Sequence, residues 1–466
     1  MAVYIIGAGL AGCEAAWQAA EYGVKVKLYE MKPHRFSEAH HSEKLAELVC
    51  SNSLKARDPE NASGLLKEEM RVLGGLVIAC ADHNAVPAGG ALAVDRERFS
   101  EEITRKIETH PQIEVVREEI HSIRRLIAEH PDCECMIIAA GPLATSDLAN
   151  EITELFGVTK LHFFDAAAPV IFEDSIEQDR VFRAARYGKG DADYINCPLK
   201  REEYFAFYDA LIHAQCADVK DFDSLDLYEG CMPVESLARR GVDTLRFGPL
   251  KPVGLRHPVT NEEYYAVVQL RQDNREGTLY NMVGFQTRLK FGEQKRVFGM
   301  IPGLAQAEYA RYGVMHKNLY IQSPEMLDRT YRLRDDKNTT GIPVYFAGQI
   351  TGVEGYMEST SSGLTAGINA AREVKQFPPF PFSRETQIGS LASYVSEYPG
   401  KDFQPMGANF GILRVDFAAK FGRVRDKRLK KRYLSENALN ILRNDKNKIG
   451  ECSYGKRVSE CKMDQF

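Results

Sequence analysis

The hexapeptide Gly7-Ala8-Gly9-Leu10-Ala11-Gly12 follows an apolar run, Val3–Ile6, and opens a small-residue segment that reads as a helix over roughly Leu10–Tyr22. A second apolar run, Val24–Tyr29, ends at Glu30, eighteen residues after Gly12. Strand, tight turn, helix and strand make a βαβ unit. Gly7 permits the turn, Gly9 lets backbone N–H groups approach a pyrophosphate, and Gly12 lets helix and strand pack closely. The helix N-terminus adds partial positive charge toward phosphates. Glu30, at the tip of the second strand, is placed to accept hydrogen bonds from ribose hydroxyls. Ala8, Leu10 and Ala11 complete the expected dinucleotide contact.

Later segments extend this unit. The run Met136–Ala140 ends in Gly141-Pro142, a sharp stop of the kind found at a sheet edge near a ligand. Val344–Ala347 reads as a short strand followed by Gly348 and Gln349, and Ser359–Ala371 as a helix rich in small residues. A second glycine-rich strand end before a small-residue helix suits an extended flavin, so FAD is expected rather than NAD. Between about 193 and 332 the rhythm breaks: Tyr264–Leu270 and Leu279–Phe285 alternate as strands do, among many aromatic residues and arginines. The expected fold class is α/β, a discontinuous Rossmann-like FAD-binding domain (1–192 and 333–440) with an inserted α+β domain (193–332). A polar stretch, 441–466, reads as a flexible tail.

Composition narrows the function classes. Hydrophobic residues at 44% and charged residues at 27% belong to a globular enzyme, and no run of about 18 apolar residues forms a membrane span. The N-terminus lacks the basic region of a signal peptide, so a cytosolic location is expected. With a net charge of −5, any nucleic-acid contact must come from a local basic patch. The candidates are Lys420–Arg432, with eight basic residues against Asp426, and Arg239, Arg240, Arg246 and Arg256; a solvated helix face is the alternative for the first.

Ten scattered cysteines do not make a disulfide framework. Cys133 and Cys135 have no second pair to complete a zinc site, so no metal is expected. Cys13 and Cys80 read as core. Cys50 (LVCSNSLK) and Cys231 (YEGCMPVE) stand among polar and turn-forming residues, where a thiol pKa can be lowered. Spacing alone leaves both readable as inert thiols.

Nine blocks, in order and covering nearly everything from residue 1 to about 435, carry a resemblance. They are IIGAGLAGCEAA (5–16), LVCSNSLK (48–55), GGALAVDR (89–96), YEGCMPVE (228–235), YAVVQLRQDN (265–274), YNMVGFQT (280–287), IPGLAQAEYARYGVMHKN (301–318), GQITGVEGYMEST (348–360) and FQPMGANFGIL (403–413). The chain resembles the folate- and FAD-dependent tRNA (uracil-5-)-methyltransferase family. Arg414 stands where the family has proline, and the segment beyond about 440 has no family counterpart.

The resemblance implies FAD reduced by NAD(P)H, a one-carbon unit from methylenetetrahydrofolate, and methylation of carbon 5 of the T-loop uridine at position 54 of tRNA. It places the family's two functional cysteines at Cys50 and Cys231. Uracil carbon 5 is a poor nucleophile until a thiolate adds at carbon 6; that role goes to Cys231. Cys50 then guards the methylene unit or serves as acid/base for the carbon-5 proton. The same chemistry on ribosomal RNA is the alternative. Glucose-inhibited-division-type uridine enzymes are longer and lack the GCMPVE block. A non-catalytic RNA-binding flavoprotein would not need both thiols, and a general NAD(P)H oxidase would need a second GxGxxG.

Overall fold

A computed structural model describes residues 2–157, 160–188, 191–217, 232–422 and 424–453. Five parallel strands form the first sheet, in the order Val344–Phe346, Cys133–Ile138, Ala2–Ile6, Lys25–Glu30, Ile113–Arg117. The Ala2–Ile6 strand is buried at every position, as a central strand covered on both faces must be. The first helix spans Leu10–Glu21, and the small-residue helix runs longer than expected, Tyr356–Val374. These two helices pack at close range. A Cβ on Gly363 would stand 2.2 Å from the Ala11 carbonyl oxygen, and one on Gly367 2.5 Å from that of Ala15. The small residues therefore serve helix–helix contact, which brings the two parts of the discontinuous unit together.

Buried carboxylates fix neighbouring helices. Glu14, on the first helix, accepts N–H bonds from Leu76 and Val77 at the start of the Leu76–His83 helix (3.2 and 2.9 Å). Glu69 accepts from Gln387 and Ile388, at 2.8 and 2.9 Å, at the start of the Gln387–Glu397 helix. The helix dipole favours negative charge there, but burial dominates and pushes the Glu69 carboxyl up to about 8.

The second sheet is antiparallel, in the order Phe182–Arg183, Tyr194–Leu199, Ala266–Gln272, Leu279–Met282, Val170–Phe172, Tyr309–Arg311. Its own hydrophobic core runs from Ala168 to Ala307. The boundaries expected at 193 and 332 are thus corrected to about 168 and 311, because the outlying three-residue strands Val170–Phe172 and Tyr309–Arg311 belong to this sheet. The chain enters through Lys160–Ala166 and leaves through Met315–Ile321, and these two strands pair antiparallel at the junction. The flexible tail is corrected as far as Ser453. The helix Lys427–Ser453 buries Leu434, Ala438, Leu442 and Ile449 and packs on the Ala62–Leu73 helix. Residues 454–466 of that expected tail lie outside the described residues.

In an uncrowded helix, Gly→Ala stabilises by about 0.5–1 kcal/mol. At Gly363 the sign should reverse, because the new methyl meets a main-chain oxygen; overpacking of this kind costs about 1–3 kcal/mol. Gly363→Ala should lower the thermal midpoint. A raised midpoint would mean that the two helices have room to spare.

Candidate active site

The ends of three adjacent parallel strands place Gly7, Gly141 and Gly348 on one edge of the first sheet. A cleft of about 1160 Å³, open to solvent, follows that edge. It is lined by Gly7, Ala8, Gly9, Leu10, Ala11, Glu30, Gly141, Gly348 and Gln349, among others. Of the expected cofactor residues only Gly12 is absent from the lining. Its contribution is steric: a Cβ there would lie 1.8 Å from the Gly7 carbonyl oxygen. Gly7 has φ +100° and sits against the Ala139 carbonyl, where a Cβ would approach to 2.5 Å. Gly9 differs, since an added Cβ would meet no atom within 4 Å and would stand in the cleft. No side chain caps the helix that starts here. The first-turn N–H groups and the helix dipole are therefore available to an anion, and the residues present fit a pyrophosphate. Glu30 lines the cleft and also steadies the turn, its oxygens accepting N–H bonds from Ala8 (3.1 Å) and Lys32 (3.0 Å).

A second chamber, about 1120 Å³ and likewise open to solvent, shares Val49, Pro142, Leu143, Gln349 and Tyr356 with the first, and Cys50 is part of its wall. The loop that carries Cys50 is tied from three directions. The Cys50 N–H donates to the Tyr356 hydroxyl at 2.7 Å, and its Sγ donates to the Ala166 carbonyl at 3.6 Å. Arg96 donates to the carbonyls of Leu48 (2.8 Å) and Cys50 (3.0 Å) and forms a buried ion pair with Asp273 at 2.9 Å. Asn52 donates to the carbonyls of Val94 and Gln272, while Arg271 donates to Asn52 Oδ1 (3.0 Å) and Ser51 Oγ (2.7 Å). Asp273 and Arg271 belong to the second unit, so both units hold this loop. On the same chamber, Lys55, at φ +66°, donates to the buried Glu358 at 2.8 Å.

Arg96, Arg271, Asp273, Tyr356 and Glu358 were not anticipated as site residues. Their signal was within reach: Arg96 ends GGALAVDR, Arg271 and Asp273 stand in YAVVQLRQDN, and Tyr356 and Glu358 in GQITGVEGYMEST. An arginine inside an otherwise buried strand calls for a partner.

Cys231 lies outside the described residues. Cys13 and Cys80 are core, as expected. Among the described residues no cluster of three or more His, Cys, Asp or Glu could hold a metal, and no helix is long and apolar enough to cross a membrane. Several candidate RNA-contacting cations have local partners. Arg428 and Arg432 both pair with Glu60, at 2.6 and 2.9 Å, and hold its carboxyl below the usual range. Arg246 pairs with Asp243 and lies 3.7 Å over the Tyr265 ring; Arg256 pairs with Glu263, and Arg239 donates to the Ile212 carbonyl.

Residues 2–378 match the family model described as glucose inhibited division protein A. A crystal structure of GidA from Aquifex aeolicus shares this fold with a TM-score of 0.68 at 16% identity, covering 96% of this chain and 73% of that one. Two curated relatives are each named methylenetetrahydrofolate--tRNA-(uracil-5-)-methyltransferase TrmFO. The one from Acetivibrio thermocellus is 56% identical over 95% of this chain and 98% of its own length. The one from Caldicellulosiruptor bescii is 52% identical over 97% of this chain and 100% of its own length. At this identity, across nearly the whole of both chains, the protein belongs to the TrmFO family within the glucose inhibited division protein A group.

Proposed function

We propose that this protein methylates carbon 5 of the T-loop uridine at position 54 of tRNA, in the cytosol, with methylenetetrahydrofolate as carbon donor and FAD reduced by NAD(P)H. Its relatives are named for methylenetetrahydrofolate, tRNA and uracil carbon 5, which favours tRNA over the ribosomal alternative. The observation that carries the reading is the adjacency of two chambers: the dinucleotide cleft shares Val49, Pro142, Leu143, Gln349 and Tyr356 with a pocket walled by Cys50. A flavoprotein that only oxidised NAD(P)H would have no use for that thiol.

In this reading the Gly7–Ala11 turn holds the pyrophosphate, Glu30 the ribose, and Gly141, Gly348 and Gln349 border the flavin. When bound, the flavin supplies the electrons that turn the transferred methylene into methyl. Cys231 adds to uracil carbon 6 and makes carbon 5 nucleophilic. Cys50, held by Tyr356 and Arg96, protects the one-carbon unit or takes the carbon-5 proton. The exposed Lys427, with Lys430 and Lys431, which lie over the rings of Phe417 and Phe410 and form no ion pair among the described residues, meets RNA phosphates, since Arg428 and Arg432 are committed to Glu60.

The purified protein should carry the absorption bands of oxidised FAD. Gly9→Leu projects a side chain into the cleft and should abolish flavin content after gel filtration, with the fold kept by circular dichroism. Full flavin content in that variant would move the pyrophosphate elsewhere.

With 5-fluorouridine tRNA, methylenetetrahydrofolate and NAD(P)H, fluorine cannot leave carbon 5 as a cation, so the reaction should stop before the methylene is reduced and the RNA should stay on the attacking thiol. Wild type should give a slow-migrating covalent complex on a denaturing gel, and Cys231→Ala none. An adduct in Cys231→Ala mapped to Cys50 would reverse the two assignments. Full methylation by both single variants would remove the two-thiol mechanism.

A further inference from the structure

We propose that Arg271 is a positioning residue that keeps Cys50 in its thiolate form, its buried guanidinium supplying the counter-charge; this rests on the reading of Cys50 as a working thiol. Arg271 is 7% exposed and stands next to last in the strand Ala266–Gln272, whose other residues are mostly buried. Its hydrogen bonds go to Asn52 Oδ1, Ser51 Oγ and, at 3.4 Å, Asn281 Oδ1, all neutral oxygens. No carboxylate among the described residues forms an ion pair with it. Asp273, two residues on, is committed to Arg96, whose Nε reaches both carboxylate oxygens at 3.2 and 2.9 Å.

The loop of Cys50 therefore rests on two guanidinium groups and one carboxylate, all buried. A buried charge without a counter-ion is unfavourable, and burial pushes the Arg271 guanidinium below its ordinary range. A thiolate at Cys50 cancels the excess. Arg96 holds the carbonyl of Cys50 itself at 3.0 Å and Arg271 the side chain of the next residue, Ser51, at 2.7 Å, which sets both guanidinium groups beside Cys50. Arg271 also grips the side chains of the two residues that follow Cys50, so charge and orientation come from one group.

Asp273 acts on Arg271 as well as on Arg96, but one carboxylate does not neutralise two guanidinium groups, and the remaining groups around the chamber add no net negative charge beside Arg271. The Tyr356 hydroxyl accepts from the Cys50 N–H, and the Ala166 carbonyl, 3.6 Å from the Cys50 Sγ, accepts from the thiol and so opposes a thiolate. Lys55 and Glu358 neutralise each other. Glu354, whose carboxylate accepts the Gln349 amide at 2.9 Å, acts against a thiolate. Tyr194, near Arg271, donates its hydroxyl to the Ala88 carbonyl and is held neutral by burial.

The test is the pH dependence of Cys50 alkylation by iodoacetamide in the flavin-loaded protein, read by mass spectrometry of the Cys50 peptide. An unperturbed thiol has its midpoint at about 8.5; wild type should lie at least about one pH unit lower, as for a cysteine beside a cation. Arg271→Gln should raise the midpoint by about one pH unit, and Arg271→Lys should stay near wild type. Asp273→Asn removes negative charge and should lower it. The opposite signs separate charge from mere loosening of the loop, which would move both variants the same way. An unmoved midpoint in folded Arg271→Gln, or shifts of one sign in Arg271→Gln and Asp273→Asn, overturns the proposal. If Arg271→Gln does not fold, Arg271→Met, which keeps the buried bulk without the charge, takes its place: a raised midpoint supports the proposal, and an unmoved one rejects it. Methylation by Cys50→Ala is read separately. Lost turnover there, with an unmoved midpoint in Arg271→Gln, rejects the role of Arg271 while Cys50 keeps its own.

Discussion

Two glycines seated on two carbonyl oxygens hold the nucleotide-binding unit together. Gly363 and Gly367 let the Tyr356–Val374 helix lie against Ala11 and Ala15 of the first helix, at a distance no side chain would tolerate. The two helices come from parts of the chain separated by the whole second unit. Their contact sets Gly348, Gln349 and Tyr356 beside the Gly7–Ala11 turn and makes one cleft from two glycine-rich strand ends. Had either helix carried larger residues on this face, the strand Val344–Phe346 would still extend the sheet, but the cleft would lose one wall.

A second constraint acts across the units. Arg96 belongs to the first and Asp273 to the second, and both are buried. A buried ion pair is weak evidence for stability, because desolvation offsets much of the attraction. It is better read as a device for geometry: with Arg271 and Asn52 it fixes the loop from Leu48 to Asn52, and hence the thiol, against a surface supplied by both units. Tyr356 closes the arrangement from the nucleotide side. Of the residues that place the thiol, Tyr356 lines both chambers.

How much of this was legible depends on the range of the interaction. The opening βαβ unit is local: the run from Val3 to Glu30 contains its own strand, turn and helix signals, and the structure follows them within a residue or two. Gly7, Gly9, Glu30, Gly141 and Gly348 were read for the cleft and line it; Gly12 was read for close packing and supplies that. The Arg96–Asp273 pair spans 177 residues, and no spacing rule links its partners. The second unit began earlier and ended earlier than expected because Val170–Phe172 and Tyr309–Arg311 are too short to show alternation and gain their partners only in the sheet. The C-terminal helix was missed for another reason. Leu434, Ala438, Leu442 and Ile449 keep a helical repeat, but lysines, arginines and asparagines on the other faces hide it. The basic run was legible as charge and not as pairing: Glu60, which takes two of its arginines, stands 368 residues before Arg428.

On this chemistry the carbon added to tRNA comes from methylenetetrahydrofolate. The most direct measurement uses a tRNA transcript, NAD(P)H and folate carrying ¹³C in its methylene group, followed by nucleoside analysis with mass spectrometry. 5-Methyluridine at position 54 should carry ¹³C in its methyl group, and none should form when folate is omitted. Unlabelled 5-methyluridine formed without folate, or a label that enters ribosomal RNA and not tRNA, would contradict this chemistry.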